Sequence, residues 1–541
     1  MTFNFLIKLL TFCLFTSLLS CGGGGSDPVV SVDTCTLGTG TNLNVSGTVK
    51  FERIALENSG ALNFNDITSQ PAKAIQVEAV CNSVIAVATT DDNGLYTVAV
   101  PSGTQGVFIR AKAQMIKTGA PSWNVEIMDA SQTSGLLFAL DSSPFDLDGL
   151  DVTKNLLAAA GNVGSTYPVG AVRAAAPFAI LDTIYKSMQF VLSVEPNAIF
   201  PALDVKWSDE NEDGSFYSDN QIYILGSIVD TDEFDEHVIA HEWGHYFQDA
   251  FSRDNSVGGS HAPGDILDIR VAFSEGFGNA FSAMVMNDSI YRDSQGTTSG
   301  FSIDVEVNVC TNEGWYSECS VQSVLYDFFD TSNDDIFSLG FDEIHDVMTS
   351  NMPTSSSLTS LFSFINSFKN LTSIVSADVD SLLVEQSIDS ISDDYATGVS
   401  DGLYIMGTTD VLPIYDIRPF PLTNICSTGD NISAVEVYGL GASRFISFTA
   451  PSSGNFRFTS TWSSGLSASD PDMYLYRNGD LVGSGETTIN KSETFITSLV
   501  AGSEYVLEVL EYTYVHLDIP YNPSASGAIN KTCFTVSRTP I

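Results

Sequence analysis

The stretch that decides the central fold is "VIAHEWGHYF", residues 238–247. The chain has six histidines, and three of them, His237, His241 and His245, lie within nine consecutive positions. Because residues four apart share one face of a helix, His241 and His245 can present two imidazole nitrogens to the same point. Glu242 lies one step around the helix, beside that point. The pattern predicts a helix across residues 232–251 with a chemically reactive face.

His-Glu-x-x-His is the sequence form of a zinc site on a helix. Catalytic zinc takes three protein ligands and leaves a fourth position for water, and a neighbouring carboxylate can remove a proton from that water. The motif therefore predicts Zn²⁺ bound by His241 and His245, with Glu242 as the general base. The alternative is a pair of surface histidines on an ordinary helix.

A third ligand has to come from another element. The residues directly after His245, "YFQDAFSRDN", contain neither glycine nor histidine, but "RVAFSEGFGNAFSAM" follows, with Glu275 thirty positions beyond His245. Gly276, Gly278 and Ala280 are small enough to let a second helix, predicted over 268–287, approach the first closely. Glu275 is therefore the predicted third ligand.

HEWGH followed by Ser-Glu-Gly-x-x-Asn resembles the gluzincin metallopeptidases of the thermolysin and fungalysin type. The resemblance implies that the second helix supplies the ligand Glu275, and that the residue four positions later accepts a hydrogen bond from a ligating histidine. That residue is Asn279, where those families have an acidic side chain, so the ligand is polarised less strongly. The spacing to Glu275 also differs from that of thermolysin. The resemblance therefore concerns the architecture of the clan and not membership of a named family.

The resemblance implies peptide-bond hydrolysis by zinc-activated water, with Glu242 taking the proton and passing it to the leaving amine. Gluzincins also use a Tyr or His of the helical subdomain to stabilise the oxyanion. Tyr326 in "SVLYDFFD" and His345 in "DEIHDVM" are the candidates on suitable segments, and each also fits an ordinary packing or surface role. The strand-like "NQIYILG" lies where zincins keep the edge strand that aligns a peptide substrate.

A second cation, Ca²⁺, is suggested by the segment "DENEDGSF". Asp209, Asn211, Asp213 and Gly214 match the first half of a calcium loop, but Asn220 occupies the twelfth position, where a bidentate Glu is expected. A solvated turn is the favoured alternative. His261, in the Gly-rich "VGGSHAPGD", either lines the cleft or has no role.

The N-terminus has the pattern of an export signal. Lys8 is its only charged residue, and the apolar run that follows ends in "LLSC", which resembles the bacterial lipobox. The resemblance implies that residues 1–20 are removed, that Cys21 carries lipid, and that residues 21–44 form a tether. The expected location is the bacterial cell envelope, anchored by lipid at the outer membrane, or the extracellular space. An ordinary secretory signal is the alternative.

Six cysteines remain after those of the signal and the anchor are set aside. An even number in an exported protein suggests disulfides, and their clustering favours pairing in sequence order. The predicted pairs are Cys35 with Cys81, Cys310 with Cys319, and Cys426 with Cys533.

The charge balance is strongly acidic, with Lys+Arg 22 against Asp+Glu 66. Such a chain repels polyanions, which excludes nucleic acid as an expected partner. At 541 residues the chain also exceeds what one hydrophobic core usually supports, so several domains are expected.

The hydrophobic patterns divide the chain into three domains. Residues 45–115 read as short alternating strands and resemble the β-sandwich of carboxypeptidase regulatory-like domains. Residues 116–420 mix strands with helices and contain the motif. Residues 421–541 return to strands, and "DPDMYLY" with "LVAGSEYVLEV" resembles the bacterial pre-peptidase C-terminal domain. We therefore predict a multidomain protein with an α+β zincin catalytic domain flanked by two all-β sandwich domains.

The expected function is that of a zinc-dependent peptidase acting on a protein or peptide substrate, with internal or terminal cleavage left open. One alternative is a catalytically inactive cell-surface binding or adhesion protein that uses the zincin domain as a scaffold. Intact Glu242 argues against it, because a scaffold needs no carboxylate there. The other alternative is a metal-dependent hydrolase of non-peptide bonds, which the protease-type C-terminal sandwich disfavours.

Overall fold

The computed structural model describes most of the chain. The described residues are 34–131, 135–307, 310–330, 337–400, 412–428, 439–488, 490–516 and 531–541. The predicted signal peptide and the lipidation site Cys21 therefore lie outside the described residues. Among the helices of these ranges, none combines the length and the apolar character that a bilayer span needs.

The N-terminal part of the described chain is built from strands. These are β1 (Asn42–Leu56), β2 (Leu62–Pro71), β3 (Ile75–Cys81), β4 (Ser83–Thr89), β5 (Leu95–Pro101), β6 (Phe108–Lys117), β7 (Trp123–Asp129), β8 (Ala139–Asp141), β9 (Val152–Thr153) and β10 (Leu156–Ala158).

The central part mixes helices and strands. These are α1 (Ala176–Val194), β11 (Leu203–Trp207), β12 (Phe216–Ser218), β13 (Gln221–Ile224), α2 (Glu236–Phe251), α3 (Ile269–Met286), β14 (Ile290–Gln295), β15 (Ser299–Asp304), α4 (Glu318–Phe329), α5 (Asp342–Asp346), α6 (Leu361–Lys369) and α7 (Ser376–Glu385). Short 3₁₀ turns cover Asp232–Phe234 and Met352–Thr354, and a π-helical turn covers Val347–Asn351.

The C-terminal part is again built from strands with one short helix. These are β16 (Tyr415–Asp416), β17 (Leu422–Thr428), β18 (Ser443–Thr449), β19 (Gly454–Ser464), β20 (Pro471–Arg477), β21 (Asp480–Gly485), β22 (Ser492–Leu499), β23 (Glu504–Glu511), α8 (Tyr512–His516) and β24 (Lys531–Pro540).

One eight-stranded sheet runs from the N-terminal part into the central part. Its order is β12-β13-β11-β7-β6-β3-β4, with β8 added on β6. The predicted domain boundary at residue 115 falls inside β6, which pairs with β3 on one side and with β7 on the other. The two regions therefore share a sheet, and a single hydrophobic core extends through both. The alternating pattern of β6 predicts a strand with one buried face, but it does not indicate which strands pair with it. The sequence therefore did not reveal that β6 joins the two regions.

Helix α1 is part of the crossover connection between two parallel strands of the eight-stranded sheet. Strands β7, β11 and β13 run parallel, and parallel neighbours need a crossover connection, usually a helix. α1 lies in sequence between β7 and β11 and packs against β6, β7 and α2. The helix thereby covers the sheet and supports α2.

Strand β1 organises the second N-terminal sheet. It pairs antiparallel with β2 and β5 and parallel with β9 and β10. The Cys35–Cys81 disulfide attaches the start of the described chain to the end of β3. The N-terminal part is thus a pair of sheets over a common core, as in sandwich-type folds.

The C-terminal part contains two further sheets, ordered β16-β18-β23-β20-β21 and β17-β24-β19-β22. They enclose a separate hydrophobic core that includes Phe458, Phe495 and Leu507. Cys426 and Cys533 lie opposite each other on β17 and β24 and form a disulfide. Together with Cys310–Cys319, the structure contains all three disulfides in the pairing expected from sequence order. The molecule is multidomain α+β with sandwich-type sheets.

Candidate metal centre

Helix α2 presents two histidines to a cavity and its aromatic residues to the core. The Nε2 atoms of His241 and His245 are 3.0 Å apart. On the other side, Trp243 stacks on Phe281 with ring centroids 5.5 Å apart, and Phe247 packs against the same ring. The α-helix begins at Glu236 rather than at residue 232, because residues 232–234 form a separate 3₁₀ turn. Buried aromatic packing therefore fixes the rotation of α2 and directs both imidazoles to the cavity.

Helix α3 brings Glu275 to the two histidines. Its Oε2 lies 3.2 Å from Nε2 of His241 and 3.3 Å from Nε2 of His245. Tetrahedral zinc with bonds of about 2.0–2.1 Å places its ligand atoms roughly 3.3–3.4 Å from one another. The donor set, two imidazoles and one carboxylate, is one that catalytic zinc uses. The cluster of His241, His245 and Glu275 therefore fits a zinc ion in both chemistry and spacing.

Two glycines of α3 allow this approach. A Cβ at Gly278 would lie 2.8 Å from Cε1 of His241, and one at Gly276 would lie 2.5 Å from Cβ of Val321 on α4. Both distances are shorter than real carbon contacts, so a side chain at either position would push α3 away from its neighbours. The small residues noted in the sequence are thus required by the packing of α3 between α2 and α4.

Asn279 orients one of the histidines. Its Oδ1 lies 2.8 Å from Nδ1 of His241, and its Nδ2 donates to Oε1 of Gln322 at 2.9 Å. Since the amide group is already the donor toward Gln322, its oxygen faces the imidazole, and Nδ1 of His241 is the donor. Nε2 is then left with its lone pair toward the cluster. Gln322, on α4, was not identified from the sequence.

The two glutamates of the centre have opposite electrostatic environments. Burial raises the pKa of Glu242, although His241 and His245 oppose the shift. Burial would also raise the pKa of Glu275, but the neighbouring rings of His245 and His241 hold that pKa well below its ordinary value. Carboxylates whose pKa values are pushed apart suit different tasks. Glu242 suits proton transfer, and Glu275 suits permanent ionisation as a ligand.

A cavity of about 920 Å³ opens beside the cluster. His241, Glu242, His245 and Glu275 line it. Residues of β12 line another side, and β12 ends the eight-stranded sheet. The expected edge strand "NQIYILG" instead contains β13, which lies between β12 and β11 because residues 216–218 fold back onto it. An open strand edge at the cavity can pair with an extended peptide.

Tyr326 and His345 lie away from the cluster, and neither is among the described residues that line the cavity. Tyr326 is one turn of α4 beyond Gln322 and packs on Phe329, with ring centroids 5.9 Å apart. His345 packs against Phe247, on the core side of α2, and its Nε2 lies 3.3 Å from Oε2 of Glu195. The structure therefore does not bring either residue to where an oxyanion would form. Helical composition placed them on suitable segments but could not tell which way the segments face.

Other residues reach the cluster instead. Nε2 of His261 lies 3.3 Å from Oε2 of Glu275 and 3.2 Å from Oε2 of Glu318. The Tyr291 ring on β14 lies 6.3 Å from the His241 ring between centroids and borders the cavity. The sequence left open whether His261 lines the cleft or has no role, and in the structure it lines the cavity. No local signal in the sequence pointed to Glu318 or Tyr291.

His237 and the predicted calcium half-loop take no part in the cluster. Nε2 of His237 lies 3.2 Å from the carbonyl oxygen of Asp288. In the half-loop, Nδ2 of Asn211 donates to the carbonyl of Ile224 at 2.8 Å, which ties the turn to β13. Among the described residues, Asp213 is not grouped with other potential metal ligands. Calcium at this loop stays a prediction.

Comparisons with known proteins concern separate parts of the chain. The family model described as the Mycolysin C-terminal domain matches residues 195–379, about a third of the chain, which contain α2, α3 and α4. No curated protein matches.

Two solved structures are similar to parts of the chain. The pre-peptidase C-terminal domain of a collagenase from Bacillus anthracis has 12% sequence identity, covers 23% of this chain and 94% of that chain, and has a TM-score of 0.15. A 9R-lipoxygenase from Cyanothece has 8% identity, covers 32% of this chain and 26% of that chain, and has a TM-score of 0.13. The family match places the candidate metal centre within a region similar to the Mycolysin C-terminal domain.

Proposed function

We propose that this protein is an exported zinc-dependent peptidase. The observation that carries the proposal is the convergence of His241, His245 and Glu275 at one end of a cavity, with the buried carboxylate of Glu242 beside them. The match of residues 195–379 to a domain associated with metallopeptidases supports the same reaction class. The match covers about a third of the chain, and the substrate and partners of the whole protein are part of what we propose.

A zinc ion held by His241, His245 and Glu275 would supply a Lewis acid that activates water and polarises the scissile carbonyl. Glu242 accepts the proton from the attacking water at its carboxylate and then donates it to the leaving nitrogen. Burial keeps the pKa of Glu242 above its ordinary value, so that carboxylate is a stronger base than an exposed one. Asn279 holds the His241 ring so that Nε2 stays directed at the cluster.

The free edge of β12 gives the substrate a place to bind. An extended peptide can add to that edge through main-chain hydrogen bonds, which do not depend on its side chains. The edge lines the same cavity as Glu242. A protein or peptide is therefore the proposed substrate, bound as an added strand.

Export and anchoring belong to the same proposal. Three disulfides suit an oxidising compartment. Lipid on Cys21 would hold the molecule at the bacterial envelope, with the preceding residues removed as a signal peptide.

The test compares casein hydrolysis by the full-length protein with and without a zinc chelator, followed by zinc addition. The variant Glu242→Gln keeps the three ligands but has no base, so we expect it to bind zinc while its rate falls by about 10²–10⁴-fold. The matched control is Glu385→Gln, an exposed substitution on α7 that should leave both properties unchanged.

Two outcomes would contradict the proposal. Zinc-loaded wild type that cleaves neither casein nor a peptide library would favour a binding protein or a hydrolase of other bonds. A Glu242→Gln variant with full activity would show that the proton is taken elsewhere.

A further inference from the structure

A second group of carboxylates lies on the wall of the same cavity. Asp230 and Asp232 precede α2, and Asp293 lies on β14. One carboxylate oxygen from each falls within 4.8 Å of the others. These three residues, called the acidic cluster below, include no nitrogen ligand and share no residue with the zinc-type cluster.

We propose that the acidic cluster binds one Ca²⁺ ion. Its donors are oxygens only, which hard cations prefer, whereas the imidazoles of the other centre suit zinc. Ca²⁺ takes six to eight oxygens at about 2.3–2.6 Å, so oxygens up to roughly 4.8 Å apart can share one ion. Three carboxylates can provide three to six of these oxygens, and water can complete the shell.

Buried oxygens without partners point independently to a ligand. Asp235 is fully buried, and its Oδ1 has no hydrogen-bond partner among the described residues, while its Oδ2 accepts from the backbone of Ser294. Asp232 is 3% exposed, and its Oδ1 is likewise unpartnered. Burial of an unpaired carboxylate oxygen is unfavourable, because the oxygen loses its hydrogen bonds to water and gains none in return. A cation between these side chains would remove that penalty.

Charge balance leads to the same conclusion. Within the part of the chain that the structure describes, no ion pair with a basic side chain involves Asp230, Asp232, Asp235 or Asp293. Arg173 pairs with Glu233 instead, and Arg292, next to Asp293 in the sequence, pairs with Asp288. Burial raises the pKa values of Asp232 and Asp235 well above the ordinary range, and their neighbouring carboxylates raise them further. Burial, with the charge of Asp230, raises the pKa of Asp293 to about 7. A positive charge at the cluster would therefore let these carboxylates ionise, and no described side chain provides that charge.

The position of the cluster gives the ion a structural task. Asp235 is the residue at the N-terminal cap of α2, where its side chain makes no capping hydrogen bond. An ion between Asp232 and Asp293 would join the segment before α2 to β14 and so hold the start of the histidine-bearing helix. This role does not depend on peptidase activity.

The first experiment titrates CaCl₂ into full-length protein by calorimetry, after removal of bound calcium and with zinc restored. Wild type should show one calcium site. Asp293→Asn removes one charged ligand, so its calcium affinity should fall by about tenfold or more. The control is Asp389→Asn, an exposed carboxylate after α7 that does not line the cavity, and its affinity should equal that of wild type.

Thermal unfolding provides a second measurement that separates binding from misfolding. Without calcium, Asp293→Asn should unfold at the same temperature as wild type or higher, because it removes like-charge repulsion. With saturating calcium the order should reverse. A side chain with a purely structural role would destabilise the protein in both conditions.

Three results would overturn the proposal. They are a folded wild type that binds no calcium, equal loss of affinity in Asp389→Asn and Asp293→Asn, and binding of magnesium with the same affinity as calcium. The last would remove the calcium assignment, since Mg²⁺ requires a tighter octahedral shell at about 2.0–2.1 Å.

Discussion

The two helices that carry the candidate metal ligands begin in contrasting ways. At the start of α3, Asp268 caps the helix by accepting from the backbone of Arg270. The Arg270 guanidinium is 1% exposed and pairs with Asp268 at 2.9 Å and with Glu508 of β23 at 2.8 Å. At the start of α2, Asp232 and Asp235 are equally buried but have unpartnered oxygens and no basic neighbour in an ion pair among the described residues.

The difference shows two ways of placing carboxylates at a buried helix start. The N-terminus of a helix favours negative charge, but a buried charge needs a compensating partner. For α3 the chain supplies that partner itself, because Arg270 pairs both with Asp268 and with Glu508 of the C-terminal sandwich. The helix bearing Glu275 is therefore tied to the C-terminal domain. For α2 no described side chain supplies that partner, and the proposed Ca²⁺ ion would supply it.

The largest expected effect comes from breaking the α3 arrangement. Arg270→Met leaves Asp268 and Glu508 buried without a cation, so the free energy of unfolding should fall by about 3–5 kcal/mol. Urea unfolding at neutral pH measures it. Arg110→Met, which removes a largely exposed pair with Asp141, should cost at most about 1 kcal/mol. Equal losses in the two variants would show that burial does not distinguish these ion pairs.

A smaller effect concerns the contact between the two helices. Asn279→Ala removes the acceptor for Nδ1 of His241, and loss of such a partner lowers metal affinity by about 10–100-fold. Asn279→Asp should keep or increase the affinity, because a carboxylate is the stronger acceptor. Competition with a chromophoric zinc chelator measures both. Unchanged affinity in Asn279→Ala would show that packing alone orients the ring.

The smallest effect is a pH dependence of the α3 network. Burial would raise the pKa of Glu508, but Arg270, Ser443 and Tyr476 hold it below the ordinary value. A folded-state pKa below the unfolded value of about 4.5 means that the pair stabilises the fold above that pH and loses its contribution as the pH falls. The stability difference between wild type and Glu508→Gln should therefore shrink below about pH 4.5. A difference that stays constant down to pH 3 would contradict the assignment.

Local patterns were sufficient where the relevant residues lie within a few turns of one another. The spacing of His241, Glu242 and His245 predicts a shared face because the helical period is the same in any context. The small residues around Glu275 predict a close helix contact for a similar reason, and the structure requires glycine at 276 and 278. The alternating segments near both ends predict strands, and both ends consist mostly of strands.

Local patterns were insufficient where distant segments meet. Strand β6 joins the N-terminal strands to the central sheet, and nothing in its own alternation indicates its neighbours. Helical segments around Tyr326 and His345 were identified, but the direction of their side chains depends on how α4 and α5 pack. His261 contacts both Glu275 and Glu318 although these residues are far apart along the chain.

The sequence by itself determined the chemistry available to this protein: a helix face with two histidines and a glutamate, a second helix able to approach it, and cysteines that pair in order. Those features depend on helical periodicity and residue size, which act over short distances. Only the tertiary structure decided which buried charges face one another, as Arg270 faces Glu508 and Asp232 approaches Asp293. The physical reason is that such pairs depend on sheet register and helix packing, which arise from the whole core rather than from any single segment.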